Sequence, residues 1–252
     1  MPDLSLDAPA LPSESGRRLH AALRAVLSPG IWLVLAIQIA LVFSMQWRVP
    51  ADALPVTQVL TTILTATLLM LFYYLQAGAF HALSQGRNTL PVGELIRSGK
   101  SVFAAFVWLT LKAGLLLVVV MNIFIYVAVL ITGSELKTLI GTLVPFFGPA
   151  VGILALVFVY WLPWVFLRRE FHLFPSLKAA LRIARARLSH SAFPALLLLA
   201  PIIVAGLLPD RSPISIDLLV SVVSGVMGWM AYIYGVEVLQ DQQPNTGSEA
   251  PA

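Results

Sequence analysis

Six long apolar runs divide the chain, at about 31–47, 55–80, 103–132, 140–167, 191–209 and 214–238. Each is near or above the roughly 20 residues that cross a ~30 Å hydrocarbon layer as a helix. Backbone amides left open in hydrocarbon are costly, so runs of this length must form helices that satisfy their own hydrogen bonds. The expected fold is all-α: a polytopic bundle of six transmembrane helices over residues 17–240, with disordered tails at 1–16 and 241–252 that are rich in Pro, Ser, Gly and acids. Of 252 residues, 59% are hydrophobic and 11% charged, against about 45–50% and about 25% in soluble domains. No polar stretch between the runs is large enough to bury a core of its own.

The third run is long enough to raise the question of two crossings, but Gly114 is its only turn signal. A single long helix that starts with an interfacial turn is expected there. With six spans and the N-terminus inside, twelve of the sixteen Lys and Arg residues fall on the cytoplasmic side. Arg48, Lys137 and Arg211 fall outside, and Lys112 lies inside span 3. This asymmetry places both termini in the cytoplasm. Trp47, Trp161 and Trp164 lie near span ends, where amphipathic rings mark headgroup level. Arg17-Arg18 before the first run and Ala51-Asp52-Ala53 after it resemble signal-peptide features, but the run exceeds the usual 7–15 apolar residues and is expected to be retained.

Three segments share Arg-x-x-x-Ser at the foot of an apolar run: Arg24 to Ser28, Arg97 to Ser101 and Arg185 to Ser189. They lead into spans 1, 3 and 5, so the chain reads as three units of basic amphipathic interfacial helix plus hairpin, with chance similarity as the competing explanation. The third foot has the clearest pattern. Leu177, Leu181, Ala184 and Leu188 form an apolar stripe, and Lys178, Arg182 and Arg185 lie beside it with Arg187 following. Such a helix lies in the headgroup plane with cations near anionic lipid, or packs on the bundle and enforces topology.

Ionisable groups at membrane depth are functional candidates. Lys112 either snorkels to the cytoplasmic headgroups or pairs with Glu237 on span 6. Gln58, Thr61, Thr62 and Thr65 share a face of span 2, with Gln76 farther on; they line a polar pathway or, more commonly, bond between helices and to their own backbone. Asn122 and Tyr126 on span 3 admit the same two readings. Pro145, Pro149, Pro194 and Pro201 predict kinks in spans 4 and 5. The small-residue pairs Gly148/Gly152, Ser221/Gly225 and Ser224/Gly228 predict close helix contacts.

There are no cysteines, and the four histidines are dispersed without metal-ligand spacing. Phosphate-loop, dinucleotide and nucleophile-elbow motifs are lacking, and the acids stand singly. The expectation is a chain without catalytic, cofactor-binding or metal residues.

The segment Pro175-Ser-Leu-Lys-Ala-Ala-Leu-Arg-Ile-Ala-Arg-Ala-Arg-Leu-Ser189, followed by Ala192-Phe-Pro-Ala-Leu-Leu-Leu-Leu-Ala200, resembles bacterial inner-membrane proteins of the YciC type and the membrane domains attached to some glycerophosphodiester phosphodiesterases. The resemblance implies a multi-pass inner-membrane protein with no known catalytic residues. Lys178-Ala-Ala-x-x-x-Ala184 also resembles the start of the coupling motif in permease subunits of ATP-driven transporters, with its acid and glycine replaced. The leading expectation is a non-enzymatic protein that organises lipid or assists a membrane complex through its basic helices. Its expected partners are anionic phospholipid and another membrane protein or complex, with no nucleic acid. The alternative is a transporter or permease subunit with a polar pathway near span 2 and Lys112.

Overall fold

The computed structural model describes residues 14–47, 54–87, 89–133, 136–207 and 213–241. Among them are eight α-helices and no strand: α1 (Glu14–Val26), α2 (Pro29–Gln46), α3 (Pro55–Ser84), α4 (Val92–Thr132), α5 (Leu136–Arg168), α6 (Leu173–Ala186), α7 (Leu188–Leu207) and α8 (Ile214–Gln240). Prolines open α2 and α3, where the missing N–H costs nothing. Gly133 closes α4 in the left-handed conformation, its N–H bonded to the Val129 carbonyl.

Helices α2, α3, α4 and α8 and the Val151–Arg168 stretch of α5 are long and apolar enough to cross a membrane. The fifth run forms α7, whose described apolar stretch, Ser191–Pro201, is shorter. Both α5 and α7 continue through their prolines as single helices. The third run is one unbroken helix of 41 residues that already begins at Val92. Helix α1 takes in residues 14–16, which the composition assigns to a tail. The remaining tail residues, 1–13 and 242–252, and the Ala51–Ala53 segment lie outside the described residues.

The long helices alternate in direction. The starts of α2, α4 and α7 and the ends of α3, α5 and α8 meet at one end, tied by Gly30 N–H to the Leu90 carbonyl (2.9 Å), Gln240 Nε2 to the Ser84 carbonyl (3.2 Å) and Ser191 Oγ to the Tyr160 hydroxyl (3.0 Å). Arg24, Arg87, Arg97, Lys100, Arg168 and Arg169 lie on α1 or at these helix ends, which makes this the basic end. At the opposite end Gln46 Nε2 donates to Asp217 of α8 at 3.1 Å.

Neighbours follow a cyclic order. Helices α3, α5 and α8 touch one another; α2 packs between α8 and α3, α4 between α3 and α5, and α7 between α5 and α8. The basic-end segments obey the same rule, with α1 on α8, the first turns of α4 on α3, and α6 on α5. Close approach fixes two of these contacts. A Cβ at Gly78 would collide with the Leu95 carbonyl, and one at Gly235 with the Val159 carbonyl. The core is aromatic. Phe80 of α3 stacks near Phe106 of α4, Phe166 of α5, and Trp229 and Tyr232 of α8, with centroids 4.3–6.0 Å apart. The Tyr232 hydroxyl donates to the Phe80 carbonyl at 2.7 Å.

Candidate functional site

Helix α6 is pinned at its start. Trp161 Nε1 donates to Ser176 Oγ at 2.9 Å, and that hydroxyl bonds to the His172 carbonyl at 2.6 Å. Trp161 is buried within the bundle, and Trp164 donates to Glu170 at 2.9 Å. The pinning divides α6 into three faces. Leu173, Ser176, Ala180 and Ala184 are buried against the bundle. Phe174, Leu181 and Leu188 point outward, 69%, 53% and 56% exposed. Lys178, Arg182 and Arg185 form the third face; all are exposed and none has a carboxylate partner among the described residues. The stripe of Leu177, Leu181, Ala184 and Leu188 is thus split, because the helix touches the bundle through small residues that allow close approach and turns its leucines away. Arg187 is half-buried and engaged.

The turn between α5 and α6 is made by Arg169, the described non-glycine residue with positive φ, at 52°. Glu170 N–H reaches back to the Val165 carbonyl at 3.0 Å, a Schellman closure that usually takes glycine at this position. Holding an arginine there costs roughly 1–2 kcal/mol. Its guanidinium lies 3.4 Å from His81 Nε2, and the buried His81 Nδ1 has no partner. Arg168 lies over Trp164 at 5.4 Å. Together with Glu170, His172 and Pro175 these residues line a hollow of about 480 Å³.

Lys112 borders a second hollow of about 490 Å³, between α4 and the start of α6. Its Nζ lies over Trp108 at 5.1 Å, one turn back toward the basic end, which is the snorkelling direction. The pairing with Glu237 is not formed: α4 and α8 do not touch, and Glu237 is engaged elsewhere. The span 2 hydroxyls bond backward along their own helix, Thr61 to the Thr57 carbonyl and Thr62 to the Gln58 carbonyl, both at 2.9 Å. Thr61, Thr62 and Thr65 line a groove against the end of α2, on a different helix pair from Lys112, and Gln58 is exposed. Asn122 likewise bonds to the Val118 carbonyl at 2.8 Å and is exposed. Among the described residues, the span 2 threonines and Lys112 border separate hollows.

A cavity of about 630 Å³ lies among α2, α3, α5, α7 and α8, above the Phe80, Trp229 and Tyr232 rings. Gln76 borders it without a hydrogen bond among the described residues, while Gln38 donates to Ser221. Of the small residues, Gly225 packs on Leu35 and Gln38, whereas Gly152 and Gly228 have open space beside them. Gly30, Gly78, Gly99 and Gly235 each lie against a backbone carbonyl of a neighbouring segment; the run Ala77-Gly78-Ala79 is the sequence signal that marks the second. No group of three or more His, Asp or Glu side chains placed to hold a metal occurs among the described residues. No protein-family model, curated protein or solved structure matches the chain.

Proposed function

We propose that the protein is a non-enzymatic, six-span protein of the bacterial inner membrane that gathers anionic phospholipid around itself, or around a complex it assists, through its basic helices. The observation that carries this reading is the three-faced α6, with one side on the bundle, one outward apolar side, and Lys178, Arg182 and Arg185 unpaired between them and water. A helix so divided rests in the headgroup plane, where each cation near anionic lipid contributes about 1 kcal/mol. In this reading α7 crosses as span 5, completing six, and the basic end and both termini face the cytoplasm, following the positive-inside tendency.

The same reading takes the chain as three units, α1 to α3, α4 with α5, and α6 to α8. The cyclic packing supports it, since every foot lies on the last helix of the preceding unit and every first span between two last spans. The Arg-x-x-x-Ser segments of units one and three fall at breaks, between α1 and α2 and at the α6–α7 junction; that of unit two lies inside the unbroken α4.

The test is lipid enrichment in nanodiscs of mixed phosphatidylglycerol and phosphatidylcholine. The native chain is expected to enrich phosphatidylglycerol beside it, with the effect falling as salt rises. Reversal of Lys178, Arg182 and Arg185 to Glu should abolish enrichment without loss of fold, because all three side chains are exposed. Unchanged enrichment in that variant overturns the reading.

A further inference from the structure

The two hollows beside α6 share a wall, His172 and Pro175, and differ in character. One is lined by Arg168 and Arg169. The other runs along α4, where Lys112, Leu115, Leu116 and Val119 recur at i, i+3, i+4 and i+7 and so share one face. From Lys112 to Val119 this stripe extends about 10 Å away from the basic end. A cation thus stands at the mouth of an apolar trough, with two more across the shared wall. Lys112, Arg168 and Arg169 have no carboxylate partner among the described residues, and the nearby Glu170 carboxylate accepts the Trp164 N–H instead. The left-handed backbone at Arg169 is a strained conformation kept at the mouth of the basic hollow.

We propose that this junction of α4, α5 and α6 seats one anionic phospholipid, its phosphate held near Lys112, Arg168 and Arg169 and an acyl chain laid on Leu115, Leu116 and Val119. Charge complementarity selects the occupant. An apolar ligand leaves three cations unpaired, and a free anion leaves the trough bare. Within the three-unit reading, the sequence supplies an internal control. Aligning the Arg-x-x-x-Ser segments places Ile39 and Ala200 where α4 carries Lys112. The α3 and α8 ends carry Gln85-Gly86-Arg87 and Gln240-Asp241 where α5 ends in Arg168-Arg169. The seat is therefore peculiar to one junction of the ring. It rests on the reading that the basic end meets lipid headgroups, but uses different residues from the outward face of α6.

Native mass spectrometry of the full chain in a mild non-ionic detergent, titrated with phosphatidylglycerol or phosphatidylcholine, tests the seat. One phosphatidylglycerol is expected to bind more tightly than phosphatidylcholine and to resist displacement by millimolar inorganic phosphate. Lys112→Met should weaken it about fivefold, as loss of one cation near an anionic head implies, and Leu115→Trp, which fills the trough from an exposed position, at least as much. Arg169→Gly should weaken it too while relieving backbone strain, so that lost affinity appears with unchanged or raised thermal stability. The proposal is overturned if Lys112→Met and Leu115→Trp bind as the native chain does, if both lipids bind equally, or if phosphate alone displaces the lipid. Retention of the single lipid by the Lys178/Arg182/Arg185 reversal variant supports the seat even where nanodisc enrichment is lost. Its loss there, with Lys112→Met binding normally, removes the seat and leaves the proposed function standing.

Discussion

Along α3, every residue from Leu75 to Ser84 except Gln76 is buried, whereas none from Pro55 to Tyr74 is. Helices α4 and α8 repeat the contrast. No residue of α4 from Leu111 to Ile131 and none of α8 from Ile214 to Gly228 is buried, while Trp229 to Leu239 are buried apart from Met230 and Glu237. The half at the basic end is closed by aromatic stacking and by hydrogen bonds between helices; the far half offers Leu117, Ile123, Leu130 and Leu219 outward. Lipid tails are as apolar as leucine and give membrane helices no hydrophobic reason to close, so the closed half is the one where ring packing and hydrogen bonds between helices supply the attraction.

This contrast is broken most directly by paired truncations. Phe80→Ala, at the centre of the aromatic cluster, should cost about 3–5 kcal/mol, whereas Leu130→Ala in the far half, an outward side chain, should stay within about 0.5 kcal/mol. Unfolding in a mild detergent measures both, and similar losses would show the halves to be equally packed. Next in size, Gly78→Leu forces α3 away from the Leu95 carbonyl and should cost roughly 2–3 kcal/mol, while Gly114→Leu, which has open space beside it, should be nearly neutral. A smaller effect is expected of Trp161→Phe. Loss of its bond to Ser176 should cost about 1 kcal/mol, and amide exchange should quicken in α6 but not in α4 beyond Leu111. Smallest is Arg87→Ala, which removes the exposed pair with Glu94 and should change stability by less than about 1 kcal/mol. A larger loss would mean that the α3–α4 turn holds the basic end together.

The existence of the helices was legible because apolar runs near the membrane's thickness have few other fates. Their neighbours were not. Periodicity reveals the inward face of a helix when the outward face is polar, and that signal vanishes on α3 or α8, where core and outer surface are both apolar. Polarity returned at the basic end, so the cations of α6 were placed on one face from spacing alone. Even there, Ala180 and Ser176 were chosen for contact over the leucines because backbones must approach closely, a preference that hydrophobicity does not register. Arg169 was invisible for another reason. Nothing in Arg168-Arg169-Glu170 announces a left-handed residue, since sequence points to glycine or asparagine for that conformation.

Helix α1 docks on α8, the last of the described helices. Synthesis delivers the N-terminus first, so Ala22, Ala25 and Val26, which the finished bundle buries, have no seat on α8 until that helix has been made and inserted. The first foot thus acts as the latch of a clasp whose catch is made only after α2 to α7. A chain stopped after α7 leaves that latch hanging, with Ala22, Ala25 and Val26 lacking the surface that covers them.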